Sequence, residues 1–189
     1  MIAQTINKQN SLLIYGFIGA LVLRLALGGQ NVTQSTAAGI IFAACLYVYA
    51  LLAGAEWRLN RKVVKAGLLG GLFLCGPAVL LHLAHGSQIN SGHGYAGWAL
   101  ATSFVAFAEE AFLRGALYDS ILRSSNAVAA ILITSLLFAI LHLPLYGWHA
   151  LPLDFAVGLW LGALRHWSGS FVAPGIAHVI ADLAGWWLY

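Results

Sequence analysis

Apolar residues fill this chain in seven long stretches separated by short polar connections, at approximately Ser11–Gly29, Thr36–Ala55, Ala66–His85, Tyr95–Leu122, Val128–Pro144, Leu151–His166 and Ser170–Tyr189. A helix crosses about 30 Å of hydrocarbon in around 20 residues, so each stretch predicts one transmembrane helix. The pattern therefore predicts an all-α, polytopic membrane protein with about seven transmembrane helices in one bundle. Composition agrees: 61% of the 189 residues are hydrophobic and 8% are charged, against roughly 25% charged residues in a soluble domain. Low-complexity tracts, long linkers and aligned internal repeats are all missing, which predicts a single membrane-embedded domain over residues 1–189.

Charge sets the expected orientation. Lys8, the cluster Arg58, Arg61, Lys62 and Lys65, then Arg123, then Arg165 fall on alternate connections, while Gln30–Ser35, Gly86–Gly94 and Leu145–Ala150 carry no Lys or Arg. Basic connections stay cytoplasmic, so the N-terminus is expected inside and the C-terminus outside, in the plasma membrane of a bacterium or archaeon. Lys8 before an apolar run resembles the start of a signal peptide, but Arg24 interrupts the far end and no small-residue cleavage site follows; a retained helix is expected. The net charge of +3 is then a topology signal, with the Arg58–Lys65 cluster suited to anionic headgroups and no nucleic-acid partner implied. Cys45 and Cys75 lie inside apolar stretches, where a free thiol acts as a small hydrophobe. Tyr95, Trp98, Trp148, Trp167, Trp186, Trp187 and Tyr189 fall near stretch ends, as headgroup-level aromatic anchors do.

Small residues shape the last third. Gly158 and Gly162 share one helix face and permit close approach of a neighbouring backbone. Ser168-Gly169-Ser170 breaks the chain, Ser170 is placed to cap the next helix, and Pro174 is tolerated near its start.

Three stretches hold ionisable groups that topology does not explain. Glu109, Glu110 and Arg114 interrupt the fourth, and each such group at bilayer depth costs about 2.5–3.5 kcal/mol on insertion scales, which calls for a shielded polar pocket. The i, i+4 spacing puts Glu110 with Arg114, Phe138 with His142, and His178 with Asp182 on single helix faces. Arg114 is set to pair Glu110, leaving Glu109 as the uncommitted carboxylate. Burial and a guanidinium act oppositely on a carboxylate, so Glu110 is expected ionised and Glu109 nearer neutrality, as a general base requires. Glu109, His178 and Asp182 fall near the middle of their stretches, and His142 roughly a turn, about 5–8 Å, off the midplane. Phe138 alone reads as packing. Arg24, Asp119 and Asp154 lie near stretch ends and are expected to snorkel, and His82, His85, His93, His149 and His166 to be solvated or capping.

In order, Glu109-Glu110-Ala-Phe-Leu-Arg114, Phe138-Ala-Ile-Leu-His142 and His178-Val-Ile-Ala-Asp182 resemble the EExxxR, FxxxH and HxxxN/D motifs of the CAAX-protease and bacteriocin-processing family. The similarity runs over about residues 104–185. It implies an intramembrane endopeptidase in which Glu109 activates water with His142 assisting, His178 and Asp182 serve the oxyanion side, and Glu110 and Arg114 support the site. An ionised aspartate donates no hydrogen bond, so Asp182 is expected either to be protonated or to orient His178. The implied partner is a membrane-anchored protein or peptide: a bacteriocin or pheromone precursor, the C-terminal tail of a sorted surface protein, or a prenylated CAAX end. No cofactor or metal is expected, because H-E-x-x-H is absent, although one Glu and two His have the makings of a zinc site. A G-x-S-x-G elbow and a G-x-G-D motif are absent too, which sets aside serine and aspartyl types. The same buried Glu, His and Asp also suit a proton-coupled transporter or an inert immunity or scaffold protein that binds a peptide. Oligomeric state is not legible.

Overall fold

The computed structural model describes residues 2–27, 32–85 and 94–188, with side chains over 13–26, 36–84 and 94–188. The connections Gln30–Ser35 and Gly86–Gly94 fall wholly or partly outside the described residues, as do the side chains of Lys8, His85, His93 and Tyr189. Every described element is helical: α1 (Ile2–Leu27), α2 (Val32–Leu52), α3 (Arg61–His85), α4 (Tyr95–Glu110), a π-helical segment (Ala111–Leu117), α5 (Tyr118–Ser124), α6 (Ala127–Tyr146), a 3-10 turn (Trp148–Ala150), α7 (Leu151–Ser168) and α8 (Val172–Leu188). Helical dihedrals persist through Ala111 (φ −60, ψ −41) and Tyr118 (φ −54, ψ −48), so α4, the π segment and α5 form one rod. The all-α expectation holds, with seven rods lying over the seven apolar stretches. Among the described residues two rods are long and apolar enough by themselves to cross a membrane, Arg61–Ala84 and Ala127–Tyr146.

Helix ends follow side-chain chemistry. Asn60 Oδ1 accepts from Val63 N–H (3.0 Å) at the start of α3, and Asn126 Oδ1 accepts from Ala129 N–H (2.9 Å) at the start of α6. Each satisfies a donor that the first helical turn leaves without a carbonyl. The expected cap at α8 is present, since Ser170 Oγ accepts from Val172 N–H at 3.2 Å and donates to the Arg58 carbonyl at 2.7 Å. Between α7 and α8 Gly169 takes φ +77, a left-handed conformation that ends α7 at no Cβ cost.

Small residues let the rods approach. α3 lies along α8, α6 along α7, α2 along α4, and α4 along α8, while α1 packs on α2 and α6. A Cβ on Gly158 would come within 2.9 Å of Ser135 Cα, and one on Gly162 within 3.0 Å of Ile131. The close approach of a neighbouring backbone expected from their spacing is therefore present, and that neighbour is α6. Gly67 and Gly71 play the same part on α3, where a Cβ would fall 2.7 Å from Ile176 and from Ile180 of α8. Large aliphatic side chains such as Leu72, Leu83, Leu100 and Val128 are exposed, whereas Glu109, Glu110, Arg114, Thr134, Ser135, His142 and His178 are buried. Buried polar groups are the informative half of that contrast, because each needs a partner.

Candidate active site

The two glutamates close α4 where the chain becomes π-helical, and side chains of α1, α6 and α8 meet them there. Glu110 and Arg114 are fully buried and paired at 2.6 Å, as their spacing predicts. A second guanidinium nitrogen of Arg114 donates to the Gly158 carbonyl at 3.0 Å, and its Cζ stacks 4.8 Å over the Phe138 ring. The Arg114 carbonyl in turn accepts from Arg165 Nε (2.7 Å), and Arg165 also pairs with Asp119 at 2.5 Å. Asp119 is thus ion-paired rather than snorkelling. One extra residue per turn makes a π segment, a distortion that concentrates at functional sites. Nothing in the apolar pattern of the fourth stretch marks it.

Glu109 departs from the expectation of an uncommitted carboxylate. Arg24 of α1, expected to snorkel, is instead buried and ion-paired with Glu109 Oε1, its guanidinium lying 4.2 Å over the Phe42 ring. The other oxygen, Oε2, lies 3.6 Å from His142 Nε2, beyond direct hydrogen-bond reach. His142 Nδ1–H donates to the Phe138 carbonyl at 2.9 Å, which fixes the ring and leaves Nε2 facing the carboxylate. The offset of His142 from the other groups closes in three dimensions, since its imidazole reaches both Glu109 and, at 6.3 Å between ring centres, His178.

His178 stands between two carboxylates, with Nδ1 at 3.2 Å from Glu110 Oε1 and Nε2 at 3.6 Å from Asp182 Oδ2. Nδ1–H donates to Glu110, while Nε2 stands beyond direct hydrogen-bond reach of Asp182. Phe138 packs against His142 (4.2 Å between ring centres), against His178 (5.3 Å) and under Arg114, so the residue read as plain packing touches members of both halves of the site. Tyr146 stacks on His142 at 5.8 Å and 16°, extending the Phe138, His142 spacing by another four residues. That continuation was its signal in the sequence. Asp154, at the start of α7, also acts electrostatically on both histidines. Exposure rises outward along each branch, from Glu110 at 0% to the Asp182 side chain at 35%, and from Glu109 at 1% to Tyr146 at 54%.

Glu109, His142 and His178 each present a ligand atom within 4.8 Å of the others. One carboxylate and two imidazoles match the donor set of a catalytic zinc site with an open position, and the His142–Phe138 carbonyl bond is a fitting outer partner for such a ligand.

Away from this pocket, Arg58, Arg123 and Arg165 line one cleft of about 460 Å³ with Glu56 and Asp119. Tyr118 Oη and His166 Nδ1 approach to 3.3 Å beside it, so His166 is partnered. Tyr95 packs with Trp98, Trp186 and Trp187 where α4 begins and α8 ends. Cys45 and Cys75 are free thiols.

No curated protein and no solved structure matched the chain. Residues 91–184 match the family model described as type II CAAX prenyl endopeptidase Rce1-like, a segment that contains all three motifs and ends two residues past Asp182. Over that half of its length the chain belongs to the Rce1-like CAAX endopeptidase family, whose members are integral membrane proteases, and membership implies a protease with a membrane-associated protein substrate.

Proposed function

We propose that the chain is a glutamate-dependent intramembrane endopeptidase whose seven rods all span the bilayer, and that it cuts a membrane-anchored protein or peptide near its anchor. The observation that carries this reading is the buried meeting of Glu109, His142 and His178, from three separate rods, within 4.8 Å. Glu109 Oε2 takes a proton from a water held beside His142 Nε2, and the hydroxide oxygen bonds to the scissile carbonyl carbon. The carbonyl oxygen becomes an oxyanion that accepts a hydrogen bond from His178 Nε2–H, while Nδ1–H stays on Glu110 and Asp182, 3.6 Å from Nε2, orients the ring by its charge; preorganised donors of this kind contribute about 3–4 kcal/mol. Collapse breaks the C–N bond as Glu109 returns its proton to the leaving nitrogen. Glu110, Arg114 and Phe138 hold the histidines and the end of α4 in place.

The spanning topology is supported by the apolar exterior and by the grouping of Arg58, between α2 and α3, with Arg123 and Arg165, in the last turns of α5 and α7, around one cleft. That end is the cytoplasmic one in our reading. The aromatic cluster around Tyr95 then marks the outer headgroup level. Among substrates, peptide precursors and C-terminal tails of sorted proteins suit a bacterial or archaeal host, and a prenylated CAAX end is the reading favoured by the family description.

A second reading follows from the donor set. Glu109, His142 and His178 fit a zinc ion, which would polarise the carbonyl and its bound water. We favour the metal-free route because Arg24 already occupies one Glu109 oxygen and both His178 nitrogens face carboxylates. Purified protein in lipid-detergent micelles, given a membrane-tethered peptide, tests both. Cleavage that survives chelation without stoichiometric zinc, and is lost in Glu109→Gln, supports the glutamate route; chelator-sensitive cleavage with one zinc per chain overturns it. Proton-coupled uptake without cleavage marks a transporter, and peptide binding without cleavage an inert scaffold.

A further inference from the structure

We propose that Arg24, outside the matched segment and outside the three motifs, is a positioning residue for the base: its guanidinium fixes one Glu109 oxygen so that the other faces His142 and the water. This rests on the reading of Glu109 as that base. The terminal torsion of a glutamate is broad and nearly two-fold, so a carboxylate left to itself turns freely and exchanges its oxygens. Glu109 is held differently. Oε1 is paired with Arg24 and Oε2 looks at His142 Nε2 across 3.6 Å, a gap whose two ends a single water molecule can touch. His142 supplies no direct bond to stop the rotation. Only the contact with Arg24 does so among the described partners of this carboxylate.

The location of Arg24 argues against a topological charge. It lies inside α1, a turn before Leu27, and its side chain is 9% exposed, so the guanidinium does not reach out to headgroups. Burying a guanidinium is costly without a partner. Phe42 contributes a ring face to it, and Glu109 the opposite charge. A fork-shaped, permanently charged donor suits the holding of one carboxylate orientation, and an ammonium does this less rigidly.

The experiment compares kcat and KM of Arg24→Gln, Arg24→Lys, Arg24→Gly and Glu109→Gln with wild type on a membrane-tethered peptide, in lipid-detergent micelles. Arg24→Gln is expected to lose about 100-fold in kcat with little change in KM, the scale on which a misplaced catalytic group costs rate. Arg24→Lys recovers part of the loss. Low-millimolar guanidinium recovers Arg24→Gly and leaves Glu109→Gln inactive. Wild-type kcat in Arg24→Gln, a loss confined to KM, or an Arg24→Gly variant that guanidinium does not rescue while thermal unfolding stays normal overturns the proposal. Full activity in Glu109→Gln defeats the underlying reading instead, so the two failures are distinct.

Discussion

Adjacent along the chain, Glu109 and Glu110 receive the same two kinds of partner, an arginine and a histidine, from different places. Glu110 takes Arg114 from its own rod, one turn on, and His178 from α8. Glu109 takes Arg24 from α1 and His142 from α6. In the first half Glu110 and Arg114 are completely enclosed, and Arg114 is braced through Gly158 and Phe138. The second depends on a distant helix and leaves a 3.6 Å opening at His142. In our proposal one charged pair builds the wall and the other handles a proton.

If that division is right, Glu109→Gln carries the largest effect on rate. Removing a general base at this position is expected to lower kcat by about 10²–10⁴-fold, with a lowered unfolding temperature but a folded protein, because the amide retains the shape and an acceptor for Arg24 while the charge that offsets the burial of Arg24 is lost. Peptide cleavage and thermal unfolding on the same preparation check both halves of the statement. A folded Glu109→Gln variant with normal turnover breaks the comparison at its root.

Next comes the wall. Arg114→Gln leaves Glu110 buried beside the unchanged His178, and loss of one partner of a buried pair costs about 3–5 kcal/mol. The measurement is chemical unfolding in micelles, with Arg24→Gln beside it. The Arg114 variant is expected to be the less stable of the two, since Arg114 also bonds the Gly158 carbonyl and stacks on Phe138. The opposite order would move the structural role to the Glu109 half.

The unequal legibility of the halves has a physical cause. The i, i+4 relation is a local property of a helix, so Glu110 with Arg114 and His178 with Asp182 were readable from spacing alone, and so was the Gly158 contact. Arg24 is 85 residues from Glu109, and no periodicity connects them. Its position near the end of an apolar stretch fitted snorkelling equally well, and only the packing of α1 decides between the two. The π segment escaped for another reason, because its hydrogen-bond shift leaves the hydrophobic pattern of the rod unchanged. Tyr146 was accessible by extending the Phe138, His142 spacing once more, past the expected stretch end at Pro144 and into the connection Leu145–Ala150. The number of rods followed from the lengths of the apolar stretches.

Gly158 couples the wall to α7, and a side chain there tests how much slack the wall has. In Gly158→Ala the new Cβ meets Ser135 Cα at 2.9 Å, a backbone atom that cannot swing away. Overpacking of this kind costs about 1–3 kcal/mol. Stability should fall by that amount, and turnover should fall with it, since the carbonyl that Arg114 uses shifts with α7. An activity loss with unchanged stability would separate Gly158 from the wall.

The smallest effect is expected at Asp182, where the comparison can be sharpened most. This carboxylate is the most exposed acid of the Glu110 branch and sits 3.6 Å from His178 Nε2, while Nδ1 of the same ring keeps its 3.2 Å contact with Glu110. In Asp182→Asn the amide oxygen still faces Nε2–H and the amide nitrogen adds a donor that the ionised acid lacks. The His178 ring therefore stays oriented, and turnover is expected within about tenfold of wild type, a change of about 1.4 kcal/mol in barrier height. Asp182→Ala removes the acceptor as well and is expected to be the slower variant. Steady-state cleavage by the two, on one substrate at one pH, orders them. An Asn variant as inactive as Glu109→Gln would mean that the charge at 182 takes part in the reaction itself, and the Glu110 branch would then be more than a support for its histidine.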